Sequence, residues 1–513
     1  MSAPRTAIAG LLERNAALIT DPRRFTLFVV AVLAALGGLR VALFPGFGGD
    51  DGEQLVFSQY LDWGYQTRNP PLFTWVLVGV QKFLGPTVLS VVALRMAVLA
   101  ATYLLIMRIG RMILPDARLA PLAAGALLTI FYVAWNTIHG FNHSVSVTFF
   151  YAAALWIVLR LDADPAWRDY ALFGLIAGLG VITKYSFAVF LAALLAAALM
   201  DSGYRRRLLD PRTLLALAIA AAVIWPQFAW YLDHFQPGLV AGENELSWSE
   251  NAKRAAKGLF RLAVAAFAFL LPLAVIGLAI FWPSLRRPAR HSPTRHRHLR
   301  LIERTAVLIF VAAAVGIVII KGDRVRTHYM FFLALFPLYF FLRYGTRIDG
   351  RQIRLFAATV TLSGITLVGA LVGKFAIEPL VCNHCEDQIP YGGFADQLRG
   401  AGFEQGTVVA YFHRDPLPGN LRAQFPDSRI VSAKHPEVIA PVRHAPGQCL
   451  IIWPVIGATD PKTATLRSLR LVLGVRISDD HPSKVLRANL SPYGDRPHEL
   501  EYILLTPGRG RCR

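Results

Sequence analysis

Three carboxylates, Asp50, Asp51 and Glu53, stand directly after an apolar segment that ends near Phe44. A carboxylate so placed can take the proton of a hydroxyl as that hydroxyl attacks an electrophile. Farther along, cations and polar groups recur at the ends of apolar segments: Arg68, Arg95, Lys184, Arg326 and His328, with Asn142 and His143 inside FNHSVS. Cations at a membrane edge suit the phosphate of a lipid head group. They also stabilise charge that develops on a departing phosphate. His143, with a side chain that titrates in the working range, is a candidate to share base duty or to orient an acceptor. An acidic edge facing a basic one describes group transfer from a lipid phosphate to an alcohol. It also describes a transporter for an anionic solute, although no internal repeat is visible. The plainer readings are a solvated acidic loop and cations that snorkel to the interface.

The elements that must position these groups are membrane helices. The chain has 513 residues, of which 55% are hydrophobic and 17% charged. Apolar runs of about 20 residues recur, long enough to cross a bilayer as helices. Eleven spans are expected, at 25–44, 88–113, 117–135, 142–160, 169–183, 186–200, 213–230, 258–282, 305–321, 328–342 and 354–374. The first is read as a retained span and not as a cleaved signal. The net charge of +20 does not mark a nucleic-acid binder, because the Lys and Arg residues concentrate in short loops between spans. That is the positive-inside pattern. Arg108 and Arg111, Arg160 and Arg168, Arg205 to Arg207, the basic segment 286–300 and Arg343 to Arg354 all fall on one side if the N-terminus is cytoplasmic. The stretches 45–87, 136–141, 231–257, 322–327 and the tail then lie on the outer face.

Two domains are expected: a membrane domain over 1–374 and an outer α/β domain over 375–513. Within 45–87, QLVFSQYLDW and PLFTWVLVGVQKFL read as helices lying in the interface, with Leu55, Phe57, Leu61 and Trp63 toward lipid. Tyr60, Tyr65, Asn69, Asn142, Tyr185 and Tyr329 are candidates to line an outward cavity. In the tail, GTVVAYF, SRIVSA and QCLIIWPVI read as strands and YGGFADQLRGAG as a helix ended by Gly402. Of four cysteines, Cys382 and Cys385 form a CNHC pair that would oxidise outside the cytoplasm. A metal is the alternative for that pair, which supplies half of a zinc tetrahedron. A divalent metal on Asp50, Asp51 or Glu53 is also open, though the cations make none necessary. The expected partners are membrane lipids and two lipid or glycan substrates, with no nucleic acid, and the chain is expected to act as a monomer.

DD-x-E followed by LDWGY and PPLFTW resembles the first outer loop of the C-type glycosyltransferase superfamily. The resemblance runs roughly over 25–375, strongest at 50–75, weaker at Arg95 and GLGVITKYS, and faint in the tail. It points to bacterial members of glycosyltransferase family 39, which look like protein mannosyltransferases. Lipid A aminoarabinose transferases and rhizobial galacturonosyltransferases are also similar. The resemblance implies inverting transfer of a sugar from a polyprenyl-phosphate carrier to an envelope lipid or glycan, with protein O-mannosylation as an alternative. It implies Asp50 as catalytic base and Asp51 as the second acidic residue, with Glu53 as an extra. It matches Lys184 to the lysine of a KY motif that contacts the donor phosphate, and Arg326, His328 and Tyr329 to a cationic loop. Two departures stand out. Many relatives carry a lysine just before the paired prolines, where this chain has Asn69 preceded by Arg68. A later aspartate of relatives is replaced by Asn142 and His143.

Overall fold

The computed structural model describes residues 3–234, 248–286, 292–382, 385–411, 416–435, 438–442, 447–455, 461–478, 480–490 and 497–513. The expected outer loop 231–257 and basic segment 286–300 lie partly outside the described residues.

The chain opens with α1 (Ala3–Thr20) and α2 (Pro22–Leu43), then α3 (Gly49–Phe57), α4 (Leu72–Leu84) and α5 (Val88–Ile113). A broken stretch follows, with α6 (Leu119–Gly125) and α7 (Phe131–Ala134), before α8 (Asn142–Leu161), α9 (Trp167–Val181) and α10 (Ser186–Leu199). Next come α11 (Ser202–Leu208), α12 (Thr213–His234), α13 (Trp248–Leu285) and α14 (Pro293–Ile319). A 3-10 segment, Thr327–Leu335, runs into α15 (Phe336–Tyr344), and α16 (Gly350–Val381) closes the bundle. Among the described residues, eight helices are long and apolar enough to cross a membrane, or ten if each of two bent pairs is one span. The departures from the expected spans are local. The stretch 117–135 is bent by 83° at Ile130. The stretch 169–183 becomes α9, whose 15 residues reach only about 22 Å at 1.5 Å per residue. The last helix passes the expected boundary at 374 and ends at Val381.

The C-terminal part is a five-stranded mixed sheet of order β2-β1-β3-β5-β4. Its strands are β1 (Gly406–Ala410), β2 (Arg429–Ser432), β3 (Gln448–Pro454), β4 (Lys484–Asn489) and β5 (Pro497–Leu505). Strands β2, β1 and β3 are parallel, and β5 pairs antiparallel with β3 and β4. The helices α17 (Tyr391–Gly400), α18 (Leu417–Gln424) and α19 (Pro461–Leu473) accompany it. Val409, Val431, Ile451 and Trp453 face α19, while Val408, Ile430, Leu450 and Ile452 face α3. This alternation is what a strand buried on both sides requires. Both cysteine pairs are disulfides, Cys382 with Cys385 and Cys449 with Cys512.

Helix α3 lies at the seam between bundle and sheet. Leu55 packs with Phe73, Leu77 and Val91 of α4 and α5. Val56 and Phe57 enter the core of the sheet domain. The interfacial reading of this helix is corrected here: Leu55 and Phe57 are fully buried in protein, and only Leu61 and Trp63, beyond the helix end, are exposed. The close approach needs two glycines. A Cβ on Gly52 would lie 2.6 Å from Cβ of Pro416, and one on Gly419 would strike the Gly52 carbonyl.

Asp51 ties α3 to the bundle. Its Oδ1 lies 2.5 Å from Nη1 of Arg95 on α5, and both side chains are fully buried. Asn142, at the start of α8, donates to the same oxygen at 2.7 Å and accepts from Arg95 at 3.0 Å. A second Arg95 nitrogen donates to the Ile138 carbonyl at 2.7 Å. The expectation that Arg95 holds a donor phosphate, that Asp51 takes part in catalysis and that Asn142 lines the cavity gives way to this internal pair. A guanidinium already satisfied by a carboxylate has no charge to offer a ligand.

Two outcomes follow from this packing. Arg95→Met strands a buried carboxylate and should cost about 3–5 kcal/mol. The double variant Asp51→Asn/Arg95→Met should lose less than the sum of its singles, as read by unfolding in detergent. Removing the bridge between Cys449 and Cys512, 63 residues apart, should cost the sheet domain roughly 2–4 kcal/mol. Faster amide exchange in β1 and β3 would report that loss.

Candidate active site

Asp50 sits in the first turn of α3, where the helix dipole favours a negative charge. Its Oδ2 accepts a hydrogen bond of 3.0 Å from the backbone N–H of Phe141. That N–H is aimed by an unusual backbone. Gly140 has φ of 157°, and Phe141 has φ of 64°, a left-handed conformation that costs a residue with a side chain roughly 1–3 kcal/mol. The Asp50 side chain is exposed, while protein surrounds it at longer range. Burial raises its pKa above the usual carboxylate value, and the charges of Glu53 and Asp51 add to this. The Phe141 N–H and the Lys184 charge oppose the rise. A carboxylate with a raised pKa is a stronger base once ionised.

Lys184 lies in the break between α9 and α10, where its Nζ donates to Oγ of Ser144 at 2.8 Å. It is close enough to Asp50 for each to feel the other's charge. His328 opens the 3-10 segment and stacks beside Phe141 with centroids 5.4 Å apart. It lies within the fields of Lys184 and Arg326. Arg326 is exposed, as is Tyr329, which packs edge-on against His328 at 4.6 Å. Asp50, Lys184, Arg326, His328 and Tyr329 therefore share one end of the bundle, around the Gly140–Phe141 turn.

Other expected site residues do different work. His143 accepts from the Gln54 amide at 3.1 Å through Nε2, which leaves Nδ1–H for the Thr183 carbonyl at 3.3 Å. Both ring nitrogens are occupied, so the expected base role passes to a brace between α3, α8 and the Lys184 break. Gln54 in turn accepts from Thr74 of α4 at 2.7 Å. Glu53 does not open toward Asp50 but is buried against the sheet domain. Lys434 Nζ lies 2.6 Å and His435 Nε2 2.9 Å from its Oε1. Burial opposes ionisation of Glu53, yet the hydrogen bonds from His435 and Lys434 outweigh it and hold the pKa at about 2. Arg68, expected at the donor phosphate, approaches the same oxygen at 3.7 Å with its guanidinium largely exposed.

Tyr65 is buried, stacks on Phe57 and donates to the Tyr60 carbonyl at 2.6 Å. Both tyrosines pack with the core beneath the sheet, so neither lines the recess as expected. Tyr185 accepts from Gln227 of α12 at 2.9 Å. Asn69 is half-buried, and no side-chain hydrogen bond holds it among the described residues. The carboxylates do not converge as a metal site would need. Asp51 is committed to Arg95 and Glu53 to Lys434 and His435, and no cluster of three or more His, Cys, Asp or Glu fit for a metal occurs among the described residues.

Several partners had no signature in the sequence. Arg40, fully buried in α2, donates to the Gly46 carbonyl at 2.8 Å and to Asp387 at 3.0 Å, fixing the turn that leads into α3. Arg422 of α18 donates to the Leu55 and Ser58 carbonyls at 2.9 and 3.2 Å, capping the end of α3.

A family model described as dolichyl-phosphate-mannose-protein mannosyltransferase matches residues 68–230. The lipopolysaccharide core galacturonosyltransferase RgtB of Rhizobium johnstonii is 30% identical over 430 residues, covering 81% of this chain and 84% of the relative. The lipopolysaccharide core galacturonosyltransferase RgtA of the same organism is 28% identical over 436 residues, with coverage of 81% and 83%. The crystal structure of ArnT from Cupriavidus metallidurans bound to undecaprenyl phosphate superposes with a TM-score of 0.59 at 13% identity, over 93% of this chain and 97% of that one. That likeness speaks for the polytopic helical fold with its small C-terminal domain. The chain belongs to the C-type glycosyltransferase superfamily, among the family 39 membrane glycosyltransferases.

Proposed function

We propose that this glycosyltransferase moves a sugar from a polyprenyl-phosphate donor to a hydroxyl of lipopolysaccharide at the periplasmic face, with inversion. The observation that carries this reading is one turn, Gly140–Phe141, whose N–H holds Asp50 within the field of Lys184 and whose ring packs on His328, itself within the fields of Lys184 and Arg326. Asp50 takes the proton of the acceptor hydroxyl. The oxygen then attacks the anomeric carbon, and the bond from that carbon to the donor phosphate breaks. The electron pair leaves with the polyprenyl phosphate, where Lys184 and Arg326 offset the charge that develops.

The donor's chain has a place that fits it. A groove of about 760 Å³ lies between α8, α10, α13 and α14, with Phe190, Leu270, Phe310 and Phe332 among its walls. Phe332 and Leu333 belong to the same 3-10 segment that begins beside Arg326, so phosphate and chain would be read by one element. For the sugar and acceptor, the galacturonosyltransferases RgtB and RgtA favour galacturonate and the lipopolysaccharide core. The orientation is supported by charge. Arg108, Arg111, Arg160 and Arg343 sit at the helix ends remote from α3, and two disulfides suit an oxidising compartment.

Asp50→Asn should abolish transfer, by a factor of about 10²–10⁴ in turnover, while undecaprenyl phosphate still binds. Transfer that survives this change would sink the base assignment. Because burial and nearby carboxylates raise the Asp50 pKa, activity should fall as pH drops through a value above the usual 3.8. A pH–rate profile in a fixed detergent mixture measures that limb. Mass spectrometry of lipopolysaccharide from cells with and without the chain tests sugar and acceptor together.

A further inference from the structure

The three carboxylates of α3 go to three different bodies. Asp50 meets the Gly140–Phe141 turn, Asp51 meets Arg95 of α5, and Glu53 meets Lys434 and His435 of the C-terminal domain. We propose that Glu53 is a positioning residue, through which the C-terminal domain holds α3 and thereby keeps Asp50 at its reacting position. The inference rests on the reading of Asp50 as the base.

The geometry makes the contact specific. Glu53 stands three residues after Asp50, close to one turn on, so any rotation of α3 that frees Glu53 also moves Asp50. Lys434 and His435 follow directly on β2, whose carbonyl and N–H at Ile430 are both taken by the Gln59 side chain, at 2.9 and 2.8 Å. The end of β2 is therefore fixed against the segment that continues from α3. A helix of nine residues is too short to hold a register alone. Among the described residues, α3 also meets the C-terminal domain through its Leu55 carbonyl, apolar packing and the Phe57 ring, edge-on to His435 at 5.1 Å. Glu53 is the α3 carboxylate that reaches that domain, 381 residues away in sequence.

The charges that Asp50 feels are Glu53 and Asp51 on its own helix and Lys184 from the break before α10, while His328 of the 3-10 segment feels Lys184 and Arg326. Those that face Glu53 are Lys434, His435 and Arg68, with His143 also within its field. Removing the Glu53 charge takes away one influence that raises the Asp50 pKa. Lys434→Met keeps the Glu53 carboxylate, so it loosens the contact without removing that charge.

The test uses the full chain in lipid nanodiscs. Glu53→Gln and Lys434→Met should each lower turnover, toward the roughly 100-fold that a misplacement of about 1 Å brings. The KM for the polyprenyl-phosphate sugar should stay unchanged. The double variant should lose no more than the worse single, and Lys434→Arg should keep most of the rate. In Glu53→Gln the acid limb should move to lower pH. Hydrogen exchange with undecaprenyl phosphate bound should quicken across 49–57 in Lys434→Met, with the transmembrane helices still protected. Unchanged exchange there, or full turnover with an unmoved limb, overturns the proposal. Exchange is independent of the reaction. If Asp50→Asn still turns over, the base reading fails while the exchange result continues to judge the clamp.

Discussion

A nine-residue helix carries Asp50, the carboxylate proposed as the base, and nothing within that helix can hold it still. Short helices are marginal in water because nucleation costs more than a few hydrogen bonds return. The site therefore depends on anchoring from outside. The strongest anchor is the buried pair of Asp51 and Arg95, with Asn142 bridging it. Breaking such a pair leaves a charge in a place of low dielectric, so it is held firmly once made. This fixes α3 against α5 and α8, the helices whose ends also carry the Phe141 turn. Asp50 is left as the carboxylate of the three that still faces an opening.

Anchoring and strain work together around that opening. The left-handed Phe141 would not persist in an isolated loop. It persists because its neighbours are pinned: Asn142 by Asp51, and His143 by Gln54 and Thr183. The reward is a backbone N–H directed at Asp50, beside a ring that packs on His328. Residues that look catalytic by type, such as Asp51, His143 and Arg95, are here the frame that presents Asp50 and the cations near it.

The sheet domain takes part in that frame. Its hydrophobic face takes in Val56, Phe57 and Tyr65 from the α3 segment, and α18 holds Phe47 ahead of α3 through Asn420 and the end of α3 through Arg422. The bundle and the sheet therefore share a core at the seam, and α3 is buried on both sides. Asp50 therefore stands on a helix whose surroundings are complete only when both parts are docked.

The sequence by itself determined the class of this protein. Long apolar runs admit no other fold than membrane helices, and GTVVA, RIVS and QCLIIWP are legible as strands because short apolar runs bounded by turn residues suit a sheet buried on both faces. The cluster DD-x-E, Lys184 and Arg326 was visible as chemistry, since charges at the edge of apolar segments are conspicuous. The structure alone decided which of those charges are paired off inside the protein and which are not. Arg95 and Lys184 are both cations near the ends of apolar helices, yet one is spent on Asp51 and the other is left beside Asp50. The difference lies in a partner dozens of residues away, and for Glu53 in a partner hundreds away, which no local pattern records. Spacing along a chain fixes which face of a helix a residue takes; only the packing of distant segments fixes whether that face meets a carboxylate or an open recess.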